Sequence, residues 1–233
     1  MSFQFPKPRD FKKRMCYQCK RPIEFGEFYF KNKDLSKERV IELWQCDSLE
    51  FYCCLCYDNL KRKREAEYLR NQLSKKERDI LKILEIRLGR TLPLLPSISY
   101  NSVGFSIDNG TISGLSLFKM GLYEFPEVFT HLKNLHTLNL AWNFLEYLPE
   151  SISSLKNLRE LDLIGNHILE IPDTISELKQ LEVLDLSFNK IQSVPNGVGS
   201  MESLRLLKLI RNKITQIPQS VSHLEKNGLK ILL

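Results

Sequence analysis

The chain has 233 residues, with 34 Lys and Arg against 28 Asp and Glu, a formal net charge of +6, six Cys and four His. At 42% hydrophobic and 27% charged it reads as ordinary soluble protein of one or two domains. No apolar run approaches the roughly 18–20 residues a membrane helix needs, and Met1–Asp10 holds no apolar core for a secretory signal. Six cysteines without export predict thiols or metal ligands in a reducing, cytoplasmic setting, not a disulfide framework.

The charges and thiols are unevenly placed. All six Cys lie between residues 16 and 56, and all four His between 131 and 223. Residues 1–95 carry 22 basic and 14 acidic side chains, a balance of +8, and residues 96–233 carry 12 and 14, a balance of −2. A net charge this mild permits an acidic or nucleic-acid partner without requiring one.

The first element is a cysteine module over residues 1–73. Cys16-Tyr17-Gln18-Cys19 and Cys53-Cys54-Leu55-Cys56 give C-x2-C, a 33-residue gap, and C-x2-C. Zinc accepts four thiolates tetrahedrally, so Cys16, Cys19, Cys53 and Cys56 are the predicted ligands of one structural Zn²⁺. Cys46 and Cys54 are then spare: Cys54 could replace Cys53, or Cys46 could replace either. Ile23, Phe25, Phe28 and Phe30 flank Gly26 and predict a hairpin. Tyr57–Leu73 reads as a helix with Lys61–Glu65 and Lys63–Glu67 at i,i+4 spacing. Tyr17, Phe28 and Tyr52 are expected in a small module core. Knuckle, hairpin and a helix at the second pair resemble a treble-clef zinc finger over about residues 14–72. The opening Cys16, Cys19, Ile23 and Glu27 faintly resembles LIM-type fingers. No His precedes residue 131, so a two-zinc RING arrangement lacks two of its eight ligands and a ubiquitin-pathway role is disfavoured. The run Lys61-Arg62-Lys63-Arg64 fits nucleic-acid binding, or more simply a solvated helix face balanced by Glu65 and Glu67.

Residues 74–111 read as a cap, the alternative being that their helix belongs to the first domain. Ser74 and Glu77 form a capping-box pattern, Ile80, Leu81, Leu84 and Leu88 share one helical face, and Gly89 ends the helix. Val103, Phe105 and Ile107 then alternate up to the turn Asp108-Asn109-Gly110, a hairpin leading into the next element.

Residues 112–233 repeat with a period of 23. Ile112, Leu135, Leu158, Leu181 and Leu204 each open the pattern L-x-x-L-x-L. Positions 1, 4, 6, 11, 14, 18 and 21 are apolar in all five copies, and position 15 is always proline, from Pro126 to Pro218. The period-2 end of the pattern predicts a short strand. Asn143, Asn166, Asn189 and Asn212 at position 9 are placed to satisfy backbone groups of neighbouring coils. The proline marks a return segment on the convex side. A single coil buries too little to fold alone, so stacking is obligatory.

This pattern resembles the leucine-rich repeat family over about residues 112–226. The form Leu148-Pro149-Glu150-Ser151-Ile152 is similar to the Ras-group subclass of intracellular scaffold proteins, and such arrays are also common in archaeal proteins. The resemblance implies an α/β fold, a right-handed leucine-rich-repeat solenoid with parallel strands on its concave face, here preceded by the zinc-stapled α+β module. Met120 replaces the asparagine in the first copy, and after Lys226 the register slips by two, with Leu229, Leu232 and Leu233 as a partial sixth strand.

Positions 2, 3, 5, 7 and 8 are expected to line the concave face. Phe118, His136, Trp142, Arg159, Phe188, Lys208 and Arg211 are the candidate partner-binding residues, because exposed Trp, Phe and Arg among charges anchor protein interfaces. Asp162 and Asp185 stack in one column without an obvious partner or pocket, the histidines occupy unrelated repeat positions, and no catalytic motif occurs. The expectation is a non-enzymatic adaptor or signalling scaffold with a protein partner; the resemblance implies a small GTPase or signalling complex. The rivals are a nucleic-acid-binding regulator using residues 1–73 and, less favoured, a ubiquitin-pathway component.

Overall fold

The computed structural model describes residues 13–45, 49, 51, 52 and 54–233. It divides into two compact units, Met1–Tyr68 and Leu69–Leu233. In the first unit a two-residue ladder pairs β1 (Arg14–Met15) with β2 (Pro22–Ile23), Arg14 opposite Ile23. The loop between them closes tightly. Cys16 donates its N–H to Arg21 O at 2.8 Å, and Lys20 donates to Cys16 O at 2.9 Å. Lys20 adopts a left-handed φ of 60° to complete the turn.

Three helices follow: α1 (Phe25–Lys31), α2 (Lys37–Gln45) and α3 (Cys54–Gln72). The hairpin expected around Gly26 is therefore a helix. Phe25 and Phe28, three residues apart, fall on one helical face and meet Trp44 of α2 at ring separations of 5.5 and 5.2 Å. Trp44 is 1% exposed and also meets Phe51 edge-on at 5.3 Å. Cys16, Ile23, Trp44 and Phe51 form the buried cluster, with Phe25, Phe28 and Tyr52 packed against it. Tyr17, expected in that core, is instead exposed, with its ring 5.9 Å from Tyr52.

In the second unit α4 (Lys75–Leu88) begins at Ser74, whose Oγ accepts from Glu77 N–H while Glu77 accepts from Ser74 N–H, both at 3.2 Å. This capping box satisfies two otherwise orphaned donors. Gly89 ends the helix at φ 63°, as its place in the sequence requires. Ile80, Leu81 and Leu84 are buried in the same continuous core as the repeats. Glu77 Oε1 also accepts from Ile112 N–H at 2.9 Å, tying the cap helix to the first repeat strand.

The sheet has seven strands in chain order: β3 (Val103–Asp108), β4 (Thr111–Leu117), β5 (Thr137–Asn139), β6 (Glu160–Asp162), β7 (Val183–Asp185), β8 (Leu206–Lys208) and β9 (Lys230–Leu232). β3 pairs antiparallel with β4, and every later pair is parallel. Leu138, Leu161, Leu184 and Leu207 sit in register and are buried. On the return path, Pro126, Pro149, Pro172 and Pro195 each start a short 3-10 helix, because a fixed φ suits the residue leading into a helical turn.

The asparagines form a continuous ladder. Asn166 Oδ1 accepts from Leu145 N–H at 3.1 Å, while its Nδ2 donates to Leu140 O at 3.0 Å and Leu163 O at 2.9 Å. Asn143, Asn189 and Asn212 make the corresponding bonds to their own neighbouring coils.

The last coil differs. Pro218 leads into α5 (Gln219–Lys226), a true α-helix, and Leu206 pairs with Lys230, a step of 24 residues. The slip is thus one residue in the strand ladder, where the leucine pattern predicts two. Gly199 makes room for this helix: a Cβ there would lie 2.6 Å from Ser220.

Candidate protein-binding surface

Strands β5 to β8 each cover only positions 3 to 5 of their coil. Position 5 presents Asn139, Asp162, Asp185 and Lys208 in one parallel register. The three shorter side chains do the same local work, accepting the N–H two residues on: Ala141 at 2.9 Å, Ile164 at 3.1 Å and Ser187 at 3.0 Å. These bonds turn the chain off the strand. Lys208 Nζ lies 3.1 Å from Asp185 Oδ2, so the carboxylate pair has a partner.

The pair also lines a small pocket, about 140 Å³, with Asn139 and the segment Ile98–Tyr100. Asn139 donates to Tyr100 O at 2.8 Å, and Ser116 Oγ bonds Ser102 O, which fixes that segment over the first strands. Burial pushes the Asp162 carboxyl up to about 6, and the nearby Asp185 charge adds to this; the Ile164 N–H and Lys208 oppose it.

Position 8 lies beyond the strand. Lys119, Trp142, Phe188 and Arg211 have φ between 54° and 60°, and Gly165 has 68°. Trp142, Phe188 and Arg211 are therefore not on the strand face, as the spacing predicts, but on a ridge of left-handed turns at the strand ends. Trp142 and Phe188 are 40% and 46% exposed, with ring centroids 6.1 Å apart. Gly165 between them lets the indole lie down, since a Cβ there would come within 2.7 Å of Trp142 Cδ2. Trp142 Nε1 donates to the Tyr100 hydroxyl at 2.9 Å, and Lys119 Nζ stands 5.5 Å from the indole ring. A groove of about 650 Å³ runs beside the ridge, bounded on its other side by Phe144, His167 and Lys190. Phe144 stacks on Tyr123 at 5.1 Å, extending the exposed aromatic surface beyond the expected residues.

The other candidates separate from this ridge. Phe118 is half-buried beneath Tyr100, with rings 5.7 Å apart. His136 is half-buried near Pro96 and Ile98, and Arg159 faces Glu182 at 3.7 Å. Lys208 stays on the strand face with Asp185. The structure thus groups Trp142, Phe188 and Arg211, and leaves the rest on the sheet or its near edge. Tyr100, Phe144 and the left-handed column escape the sequence reading. The one signal for the column is Gly165 sharing a register position with four larger residues.

Of the proposed zinc ligands, Cys16 is buried and Cys19 exposed on the β1–β2 turn. Cys46 and Cys53 lie outside the described residues, and Cys56, in the first turn of α3, is described in its backbone alone. Among the described residues no three His, Cys, Asp or Glu side chains converge as a metal site. Lys61–Arg64 are all exposed on α3.

Residues 124–232 match the leucine-rich repeat region family. No curated protein matches the chain. Among solved structures, the chain is similar to the ectodomain of the receptor kinase SOBIR1 from Arabidopsis thaliana, at 25% identity and TM-score 0.53, over 69% of this chain and 92% of that one. A chain of the BIR3–SERK2 complex from the same plant is 32% identical with TM-score 0.47, over 55% of this chain and 71% of that one. A Leptospira interrogans leucine-rich repeat protein is also 32% identical, with TM-score 0.37, over 46% of this chain and 33% of that one. The second unit thus carries a leucine-rich repeat region over residues 124–232. Among the described residues no helix is long and apolar enough to cross a membrane.

Proposed function

We propose that this protein is a non-enzymatic, cytosolic adaptor whose repeats bind a protein partner at the Trp142–Phe188 ridge and the adjoining edge of the concave face. One observation carries the reading. A left-handed φ costs a residue with a side chain roughly 1–2 kcal/mol, and at this column only Gly165 is free of that cost. Two aromatics held exposed in a strained turn are not there for the core. A small GTPase or signalling complex is the partner class the family resemblance offers. The test is a Trp142→Ala, Phe188→Ala double variant. It should keep its circular dichroism and lose its captured partner; retention of the partner overturns the reading.

We further propose that Cys16, Cys19, Cys53 and Cys56 hold one structural Zn²⁺. The Cys16–Cys19 turn is closed by Lys20 N–H on Cys16 O, and Cys56 stands in the first turn of α3, where a helix N-terminus favours a thiolate. The ion would staple the small first core. Metal analysis of the purified chain should find about one zinc per molecule, falling in Cys16→Ser.

A further inference from the structure

The ridge and its groove carry charge of one sign only. Positions 8 and 10 of the five repeats carry Lys119, Arg211, Lys190 and Lys213 and no carboxylate. All four cations are exposed, and among the described residues none of them pairs with an acid. On the strand face beside the ridge, Lys208 is neutralised by Asp185 and Arg159 faces Glu182. Residues 96–233 have a balance of −2, so this strip runs against the charge of its own surroundings.

We infer that the groove takes an extended acidic segment of a protein partner, with an aromatic or large aliphatic side chain seated on Trp142 and Phe188. The inference rests on the reading of this ridge as a binding surface and names its partner's chemistry. Lys119 and Arg211 stand four coils apart, about 19 Å at ordinary strand spacing. An extended segment of about six residues covers that span. Its carboxylates meet Lys119 at one end and Lys190 and Arg211 at the other, while the aromatic pair supplies the desolvated centre. Cations with aromatics also suit single-stranded nucleic acid. Asp162 and Asp185 repel any anion laid beside them, and they disfavour a strand charged at every phosphate more than a peptide whose carboxylates are spaced to meet the cations at its two ends.

The experiment is fluorescence anisotropy with the full chain and a labelled peptide of about six residues, alternating Glu and Phe. A Gln-for-Glu counterpart and an oligothymidylate serve as the other probes. The acidic peptide should bind, weaken about tenfold or more at high salt, and outbind the Gln peptide by a similar factor. The surface variant Lys190→Glu, Arg211→Glu should abolish binding with unchanged circular dichroism. Equal binding of the two peptides, tighter binding of the oligonucleotide, or indifference to the charge reversal overturns the inference. Partner capture separates the two readings. If Trp142→Ala, Phe188→Ala loses the partner while Lys190→Glu, Arg211→Glu keeps it, the ridge is a binding surface for something that is not acidic. If neither variant loses the partner, both readings fall.

Discussion

The repeat unit and the N-terminal unit stabilise their backbones with opposite resources. In the repeats, the same seven apolar positions recur in every coil and merge into one core from Leu73 to Leu229. In the N-terminal unit, the buried cluster is Cys16, Ile23, Trp44 and Phe51, and the two cores share no residue. Redundancy makes the first tolerant, because any one leucine has neighbours above and below doing the same work. The second depends on a single indole.

The sharpest way to break this comparison is Trp44→Ala. The ring touches Phe25, Phe28 and Phe51, so its removal should cost about 3–5 kcal/mol, more than a core this small can spare. Hydrogen exchange should then show amides of α1 and α2 losing protection while those of β5 to β8 keep theirs. Loss of protection in both units would mean that the two cores are not energetically separate.

A smaller effect is expected within the repeats themselves. Asn166→Ala leaves Leu145 N–H and the carbonyls of Leu140 and Leu163 without their buried partner. Orphaned groups of this kind cost about 1–3 kcal/mol each at the upper end, so a total near 2–4 kcal/mol is expected. Chemical denaturation should show the lowered midpoint, and exchange should localise it to coils flanking residue 166. A neutral result at this site would remove the asparagine ladder from the account of stacking.

How much of each unit could be read from the residues follows from the same contrast. Repetition made the strands, the asparagine ladder and the proline turns legible, because five coincident copies leave no competing period. The capping box at Ser74 was legible because it is local chemistry between residues three apart. The α1 segment was not: Phe25 and Phe28 suit either a hairpin or a helix until Trp44 arrives from 16 residues further on to select the helical face. In the binding surface, residue types were legible but their placement was not. Left-handed turns at position 8 carry Trp142 and Phe188 off the strand face, and the segment Ile98–Tyr100, which shows no period, covers part of that face.

The smallest predicted effect tests the acidic side of the surface against the cationic ridge beside it. The Asp162 carboxyl is raised to about 6 from an ordinary 3.8, chiefly by burial. The native state therefore holds a proton that the unfolded chain has already lost between about pH 4 and 6. Stability from this group is fully present below pH 4, falls as pH rises through 6, and stays reduced above it. Asp162→Asn should remove that penalty, because Asn139 in the preceding coil already shows an amide making the same bond to the N–H two residues on. After discounting for partial exposure, the gain near neutral pH should be about 1–2 kcal/mol, shrinking to about zero near pH 4. The measurement is the difference in unfolding free energy between variant and parent across this range. A difference that does not change with pH would show that Asp162 is ionised at little cost, with Lys208 neutralising both carboxylates of the pair. The acidic face would then present little net charge beside the ridge, and the electrostatic reason for preferring an acidic peptide to a nucleic acid at the ridge would weaken with it.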